Sequence, residues 1–338
     1  MIIGYMRNEL KPTRFHLVNA LIAKARGIEL LYFNAEDVDM VNNVIVGRIV
    51  NGKKWERVER EIPKIVDVSP FCYKHRVVVN YLRDRTYLTD SLRNRLTKEK
   101  LQDLLKRDKE LSQYMLPSQK IETYKNIQDF IDEFGEVVIK PVKSTRGRGV
   151  FIVAKKGDKL VVGNEREETV MSLHEFQKFY IDYIKDTTHI VQKAIDSRLP
   201  SGDPFDCRIH LEKNGRGKWD TLDISVRIGL GQKVVSHVSN GSSRLPIKPF
   251  LEMQYAENAD DIYSNLREVA LLIARKIERV RKTKLMSLGV DVGIDKSGEI
   301  FIFGTNSAPR VDVIESKVAI MRTDYYEHLN GLLNKSKK

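Results

Sequence analysis

The chain has 338 residues, enough for two or three packed lobes, and its 41% hydrophobic and 31% charged residues are the balance of a globular enzyme. No apolar run approaches the roughly 18–20 residues of a membrane span, and two solitary cysteines, Cys72 and Cys207, cannot make a zinc site; they read as reduced thiols of a cytosolic protein. The net charge of +12 fits a nucleic-acid surface, a solvated basic face, or a cleft for phosphates and an acidic substrate; lacking a zinc finger, RNP aromatic pair or helix-turn-helix, the sequence argues against nucleic acid.

Residues 1–93 read as an α/β lobe. Ile2–Met6 has no basic leader and is a buried first strand rather than a signal segment. Pro12 leads into a helix with Phe15, Val18, Leu21 and Ile22 at helical spacing, Gly27 ends it, and Ile28–Phe33 follows as a strand. Val44–Val50 and Lys64–Val68 are further strands, so a small parallel sheet is predicted. Gly4 stands alone, which leaves no dinucleotide fingerprint after the first strand. Residues 96–114 are helical and polar, with Leu101, Leu104, Leu105 and Leu111 as the inward stripe. Ile127–Phe134 is another amphipathic helix, closed by Gly135. Val137–Pro141 and Val150–Val153 are strands joined by a polar loop; residues 189–195, 207–213, 221–230 and 233–238 are strands; Ile262–Arg279 is a long amphipathic helix. A hairpin and a last helix precede the basic tail at 333–338.

The polar loop carries the first chemical signal. Gly147 and Gly149 let backbone N–H groups approach an anion, Ser144 and Thr145 offer hydroxyls, and Arg146 and Arg148 add charge. A strand follows, not a helix, which excludes a P-loop and leaves a hairpin able to fold over a triphosphate. Lys140 ends an apolar strand, where a buried ammonium needs an anionic partner. An ordinary hairpin with a basic tip would explain a lone Gly-x-Gly; the Lys-Pro lead and the second strand argue for phosphate.

Later segments supply the other half of a site. His189–Ile195 could read an adenine edge through its backbone, or be a plain edge strand. Alternation puts Asp206, Arg208 and His210 on one face, where Asp and Arg could form a plain cross-strand ion pair or serve a ligand. Arg227 is a second guanidinium on a neighbouring strand, suited with Arg208 to a developing phosphoryl or acyl-phosphate charge. Residues 289–306 form a hairpin turning at Asp295-Lys296-Ser297-Gly298, which sets Asp291 across from residues 302–304 and ends on Asn306; such oxygen donors suit magnesium.

In this order the motifs resemble the ATP-grasp proteins, and more narrowly the YheC/YheD family of endospore coat-associated ATP-grasp proteins. The matching words are Tyr114-Met115-Leu116-Pro117-Ser118, Val138-Ile139-Lys140-Pro141-Val142, Gly147-Arg148-Gly149, Val191-Gln192, Pro204-Phe205-Asp206-Cys207-Arg208-Ile209-His210-Leu211, and Gly289-Val290-Asp291-Val292-Gly293-Ile294-Asp295. The resemblance implies an α/β (α+β) ATP-grasp fold: an N-terminal lobe at 1–93, a central lid subdomain at 94–188 and a C-terminal antiparallel-sheet subdomain at 189–332. It implies ATP held by Lys98, Lys140 and the Ser144–Gly149 loop, with Gln192, Lys193 and Ala194 at adenine and Asp206 near the ribose. Arg208 and Arg227 would face the acyl phosphate, Ser236 and His237 would match a substrate-side loop in which the family commonly has Asn for His237, and Asp291 and Asn306 would hold Mg2+. The family's strand ends on Glu-x-Asn, whereas this chain reads Gly304-Thr305-Asn306. A glycine brings no side-chain ligand, so a weakened magnesium site is expected; Glu299, five residues earlier, alternates to the other face at roughly 16 Å and is a poor substitute, whereas Asp312 or Glu315 in the following loop could reach back. The resemblance thus implies a ligase joining a carboxylate to an amine or peptide through an acyl phosphate, impaired by Gly304, or a non-catalytic nucleotide-binding or structural relative associated with the spore coat.

Overall fold

The computed structural model describes residues 1–142, 149–164, 167–230 and 243–335, the side chain of Lys98 excepted. The first lobe runs β1 (Ile2–Met6), α1 (Arg14–Ala25), β2 (Glu29–Phe33), β3 (Val38–Asp39), β4 (Val44–Asn51), β5 (Lys54–Glu61), β6 (Ile65–Val68), α2 (Arg76–Arg83) and β7 (Tyr87–Leu88). β1 lies parallel between β2 and β6, and β6 is parallel to β7, as the strand–helix alternation demands. The sheet is nevertheless mixed: β4 pairs antiparallel with β2, β3 and β5. β5 escapes sequence reading because Lys54-Trp55-Glu56-Arg57-Val58-Glu59-Arg60-Glu61 is nearly all charged; it is an outer strand whose charges guard an open edge.

The central part contains α3 (Lys98–Lys106), β8 (Ser118–Lys120), α4 (Tyr124–Phe134), β9 (Glu136–Pro141), β10 (Phe151–Lys156), β11 (Lys159–Gly163), β12 (Glu168–Met171), α5 (Leu173–Tyr183) and β13 (His189–Lys193). The helix expected across 96–114 stops after α3, because the Asp108 carboxylate accepts the N–H groups of Glu110 and Leu111 and so caps a new turn instead of continuing the old one. The sheet order is β12-β11-β10-β9-β13-β8. α4 and α5 cover one face, burying Ile127, Ile131, Phe176 and Tyr180 against Val137, Ile139, Val153 and Val191. Alternation then turns Val138, Lys140, Ile190 and Gln192 to the face without helices.

The C-terminal part contains β14 (Phe205–Lys213), β15 (Trp219–Ile228), β16 (Ser243–Pro246), α6 (Ile247–Tyr255), α7 (Ala259–Arg281), β17 (Ser287–Ile294), β18 (Ile300–Asn306) and α8 (Glu315–Lys335). Its antiparallel sheet has the order β16-β15-β14-β17-β18. Leu266, Val269, Ala270, Ile273 and Ile277 of α7, three or four residues apart, pack on Cys207, Ile209, Val226, Val290 and Val292. The polar residues between those strand positions face the other way.

Several contacts among the described residues join the central and C-terminal parts, including the Lys276–Asp108 and Lys296–Asp196 ion pairs. Met115 bridges to Ile302, and the side chains of Ile195, just past β13, and Phe303 close over Gly293, where a Cβ would come within 2.3 Å of Phe303 and 2.5 Å of Ile195. Only glycine permits that approach. α8 returns to the first lobe, packing Tyr325, Tyr326 and Leu329 with Ile3, Tyr5 and Tyr32. A buried ionic chain crosses this junction: Arg7 grips Asp67, Tyr326 donates to the same carboxylate, and Arg322 on α8 pairs with Glu212, which also bonds His210.

His16 sits at the edge of this cluster, 6% exposed, its Nδ1 accepting the Thr13 N–H at 3.0 Å. Burial, aided by the charges of Arg7 and Arg322, lowers its pKa from 6.5 to about 3. The unfolded chain therefore takes up a proton below pH 6.5 that the native chain refuses until about pH 3, and stability present above pH 6.5 is lost on acidification across that window. The expected slope between about pH 6.5 and 5.5 is about 1 kcal/mol per unit, visible as a falling Tm, and it should flatten in His16→Asn. An unchanged slope in that variant would remove His16 from the account.

Candidate functional site

The polar face of the C-terminal sheet is built by register. β14 sets Asp206 beside Arg227 of β15 and Arg208 beside Asp291 of β17; β18 sets Gly304 directly across from Asp291 and Asn306 across from Gly289. The side chains close into one network. Arg227 grips Asp206 through Nε and Nη2 and reaches Asp291 at 3.0 Å, while Arg208 grips both oxygens of Asp291. The Asp–Arg pairing left open by the sequence thus runs across strands, with Asp206 on Arg227 and not on Arg208. Burial works against the Arg227 charge, but Asp206 and Asp291 outweigh it and lift its pKa above the ordinary guanidinium value. Burial raises the pKa of Asp206, against the pull of Arg227.

Arg244 of β16 joins this face, a residue that sequence reading missed. Its partner across the sheet is Arg227, its Nε donates to Ser225 Oγ at 2.8 Å, and its Nη2 meets Asp223 at 3.3 Å. Burial lowers its pKa, with the charges of Arg208 and Arg227 contributing. Its strand is only four residues long, too short to show alternation; only pairing reveals it.

On the face of the central sheet that lacks helices, Lys140 Nζ donates to Gln192 Oε1 at 2.6 Å, diagonally across β9 and β13. Gln192 is 3% exposed, and its Nε2 meets no acceptor among the described residues. Lys193 and Ala194 N–H groups are spent on Pro117 and Glu136 carbonyls. Gly149 has a φ of +73°, a turn conformation that suits glycine. Ser144, Thr145, Arg146, Gly147 and Arg148, the loop residues Ser236 and His237, and all of the strand expected at 233–238 lie outside the described residues. Lys98 opens α3, with Thr97 as its N-cap.

The described residues do not by themselves fit a resident magnesium ion. No cluster of three or more His, Cys, Asp or Glu side chains lies together among them. Asp291 is already held by two guanidinium groups, and Asn306 Oδ1 accepts the Ala308 N–H at 3.0 Å. Among the described residues, none of the three acids weighed as substitutes compensates for Gly304. Asp312 pairs with Arg310, Glu315 with Arg14, and Glu299 is exposed beside the turn. A bulge inserts Phe303 between Ile302 and Gly304, the partners of Val292 and Asp291, so simple alternation does not carry from Glu299 to Gly304. A Cβ on Gly304 would meet nothing within 4 Å.

Removing Asp206 leaves Arg227, 7% exposed, with Asp291 as the one carboxylate among the described residues to answer its charge. Asp206→Asn is expected to cost about 2–4 kcal/mol in denaturant unfolding, more than the loss of an exposed pair. A change below about 1 kcal/mol would mean that the network is not a unit.

The YheC/D-like ATP-grasp family profile matches residues 91–329. The endospore coat-associated protein YheD of Bacillus subtilis (strain 168) is 24% identical over 308 residues, covering 82% of this chain and 63% of YheD, so the chain spans only part of that relative's length. Among solved structures, the D-cycloserine synthetase DcsG is 12% identical with a TM-score of 0.55, over 96% of this chain and 99% of its own. The ATP-grasp ligase PsnB, in complex with a phosphomimetic variant of its minimal precursor, Mg and ADP, is 11% identical with a TM-score of 0.57, over 97% and 98%. At such identities the likeness to the two ligases is one of fold. With its paired sheets, Gly293 closure and a profile match over most of its length, the chain belongs to the YheC/D-like ATP-grasp family.

Proposed function

We propose that the chain binds ATP between the helix-free face of the central sheet and the polar face of the C-terminal sheet, and that it is a carboxylate–amine ligase weakened by Gly304. The observation that carries this reading is the convergence of Arg208, Arg227, Asp206 and Asp291, with Gly304 opposite Asp291. The part-buried Lys140–Gln192 pair, and the Gln192 Nε2 without an acceptor among the described residues, support a nucleotide over the central sheet. Ile195 and Phe303 over Gly293 bring the end of β13, with Lys193 and Ala194, to the edge of the same face.

In the proposed reaction a carboxylate attacks the terminal phosphorus of ATP, an acyl phosphate forms and ADP leaves; an amine then attacks the acyl carbon and phosphate departs. This chain's residues would bind and orient. Lys140 would meet phosphate oxygens, and the Ser144–Gly149 loop, with Lys98, would add donors. Arg208 and Arg227 would offer fixed N–H groups to the transferring charge, which requires each to relax its hold on Asp291. Asp206 would keep Arg227 in place beside the ribose, and Ser236 and His237 would border the acid or peptide substrate. Asp291 and Asn306 would complete a metal site only together with nucleotide phosphates.

A second reading is favoured by one observation: the four charged groups already neutralise one another. A self-satisfied network suits a protein that holds nucleotide, or a structural role in a spore coat like that named for YheD, without turnover. No helix among the described residues is long and apolar enough to cross a membrane.

Calorimetry with ATP and magnesium should show binding, reduced at least about tenfold in Lys140→Ala, since a charge-assisted contact to phosphate contributes about 1.5–3 kcal/mol. ADP release with candidate acids and amines should be slow in the natural chain and rise strongly, with magnesium dependence, in Gly304→Glu, whose new side chain starts in open space. Fast turnover without the substitution would overturn the impaired reading, and no ATP binding at all would overturn the site.

A further inference from the structure

The proposed nucleotide site does not use a second group of cations, brought together by three contacts. Ser91 Oγ lies 2.6 Å from Thr283 Oγ1, Asn94 Nδ2 donates to the Arg281 carbonyl at 2.9 Å, and Arg95 Nη1 donates to the Pro70 carbonyl at 2.6 Å. These contacts lay residues 70–77 and 91–95 against the C-terminal end of α7. On the resulting surface Lys74, Arg76, Arg93, Arg279, Lys282 and Lys284 are exposed, and none forms an ion pair with a described carboxylate.

The acids of these stretches do not neutralise them. Asp90 is buried against Arg281, and Glu278 takes Lys213 and the Trp219 indole N–H. Elsewhere on this surface basic side chains do find partners, as Arg26 does with Asp324 and Glu327, and Arg310 with Asp312. The helix dipole accounts for cations in the last turn of α7, but not for Lys74, Arg76 and Arg93 on other elements. Like charges held together this way repel one another in the free protein and favour an anionic partner.

Beside the cations stand exposed apolar groups: Phe71 at 55%, Tyr73 at 50% and Val77 at 70% exposure. The Arg95 guanidinium lies 4.4 Å over the Tyr73 ring and covers one of its faces. We propose that this face docks an acidic segment of another polypeptide, with an apolar or aromatic side chain of that segment covering Phe71 and Val77. A single strand of nucleic acid needs open aromatic faces on which bases stack; here one ring is occupied by Arg95, and Val77 offers no face. Carboxylates spaced along a peptide and one large apolar anchor match both halves of the surface.

The test is fluorescence anisotropy on the full chain with two labelled probes of equal charge: a short peptide of glutamates carrying one phenylalanine and one leucine, and an oligothymidylate. The peptide should bind tighter than the oligonucleotide, and more weakly as salt rises. The triple variant Lys74→Glu, Arg93→Glu, Lys284→Glu should lose at least about tenfold in peptide affinity, since each exposed charge contributes only modestly. Phe71→Ser, at an exposed position, should lose several-fold. Both variants should keep the wild-type Tm and the wild-type ATP titration, whether or not the natural chain binds nucleotide. Equal or tighter oligothymidylate binding, no peptide binding, or peptide affinity unmoved by charge reversal in a folded variant would overturn the proposal.

Discussion

The grip of Arg208 and Arg227 on Asp291, with Asp206 holding Arg227 from the other side, is the interaction around which the C-terminal sheet is arranged. Four charges on one half-buried face would be costly singly; together they sum to zero and satisfy one another's hydrogen-bonding groups. This balance requires three adjacent strands in one register, since a slip of one residue on β14 would send Asp206 and Arg208 into the α7 core. The apolar partners in that core, Cys207 and Ile209, come from the alternate positions of the same strand.

The same network shows what Gly304 means. In a sheet whose polar face carries Asp291 opposite residue 304, a carboxylate at that position would compete with Arg208 and Arg227 for the space in front of Asp291 and add a negative charge. With glycine there, the guanidinium groups have Asp291 to themselves. The four charges answer one another in the free protein, and in the proposed site a nucleotide would have to bring enough negative charge to draw the arginines away.

Among the described residues, the contacts that join the two sheets include the Met115–Ile302 bridge and the meeting of Ile195 and Phe303 over Gly293. The first lobe is tied instead to α8 by the Tyr326 hydrogen bond to Asp67, and α8 to β14 by the buried Arg322–Glu212 ion pair. Residues distant in sequence are thus held in relation by a hydrophobic closure on one side and a charged chain on the other.

The sequence by itself determined the architecture and the identity of the charged site. Alternation in 206–210 and 289–294, the turn at Asp295–Gly298 and the spacing of α7 are local patterns, and local patterns survive without coordinates. It also showed that residue 304 has no side-chain donor and roughly which residue it faces. Tertiary structure alone decided who pairs with whom. That Asp206 belongs to Arg227, that Arg244 joins the face, that Asp312 and Glu315 are committed elsewhere, and that β5 is a strand at all depend on cross-strand register and on partners far along the chain. A charge in a sequence states only that it needs an answer; the folded sheet determines which neighbour supplies it.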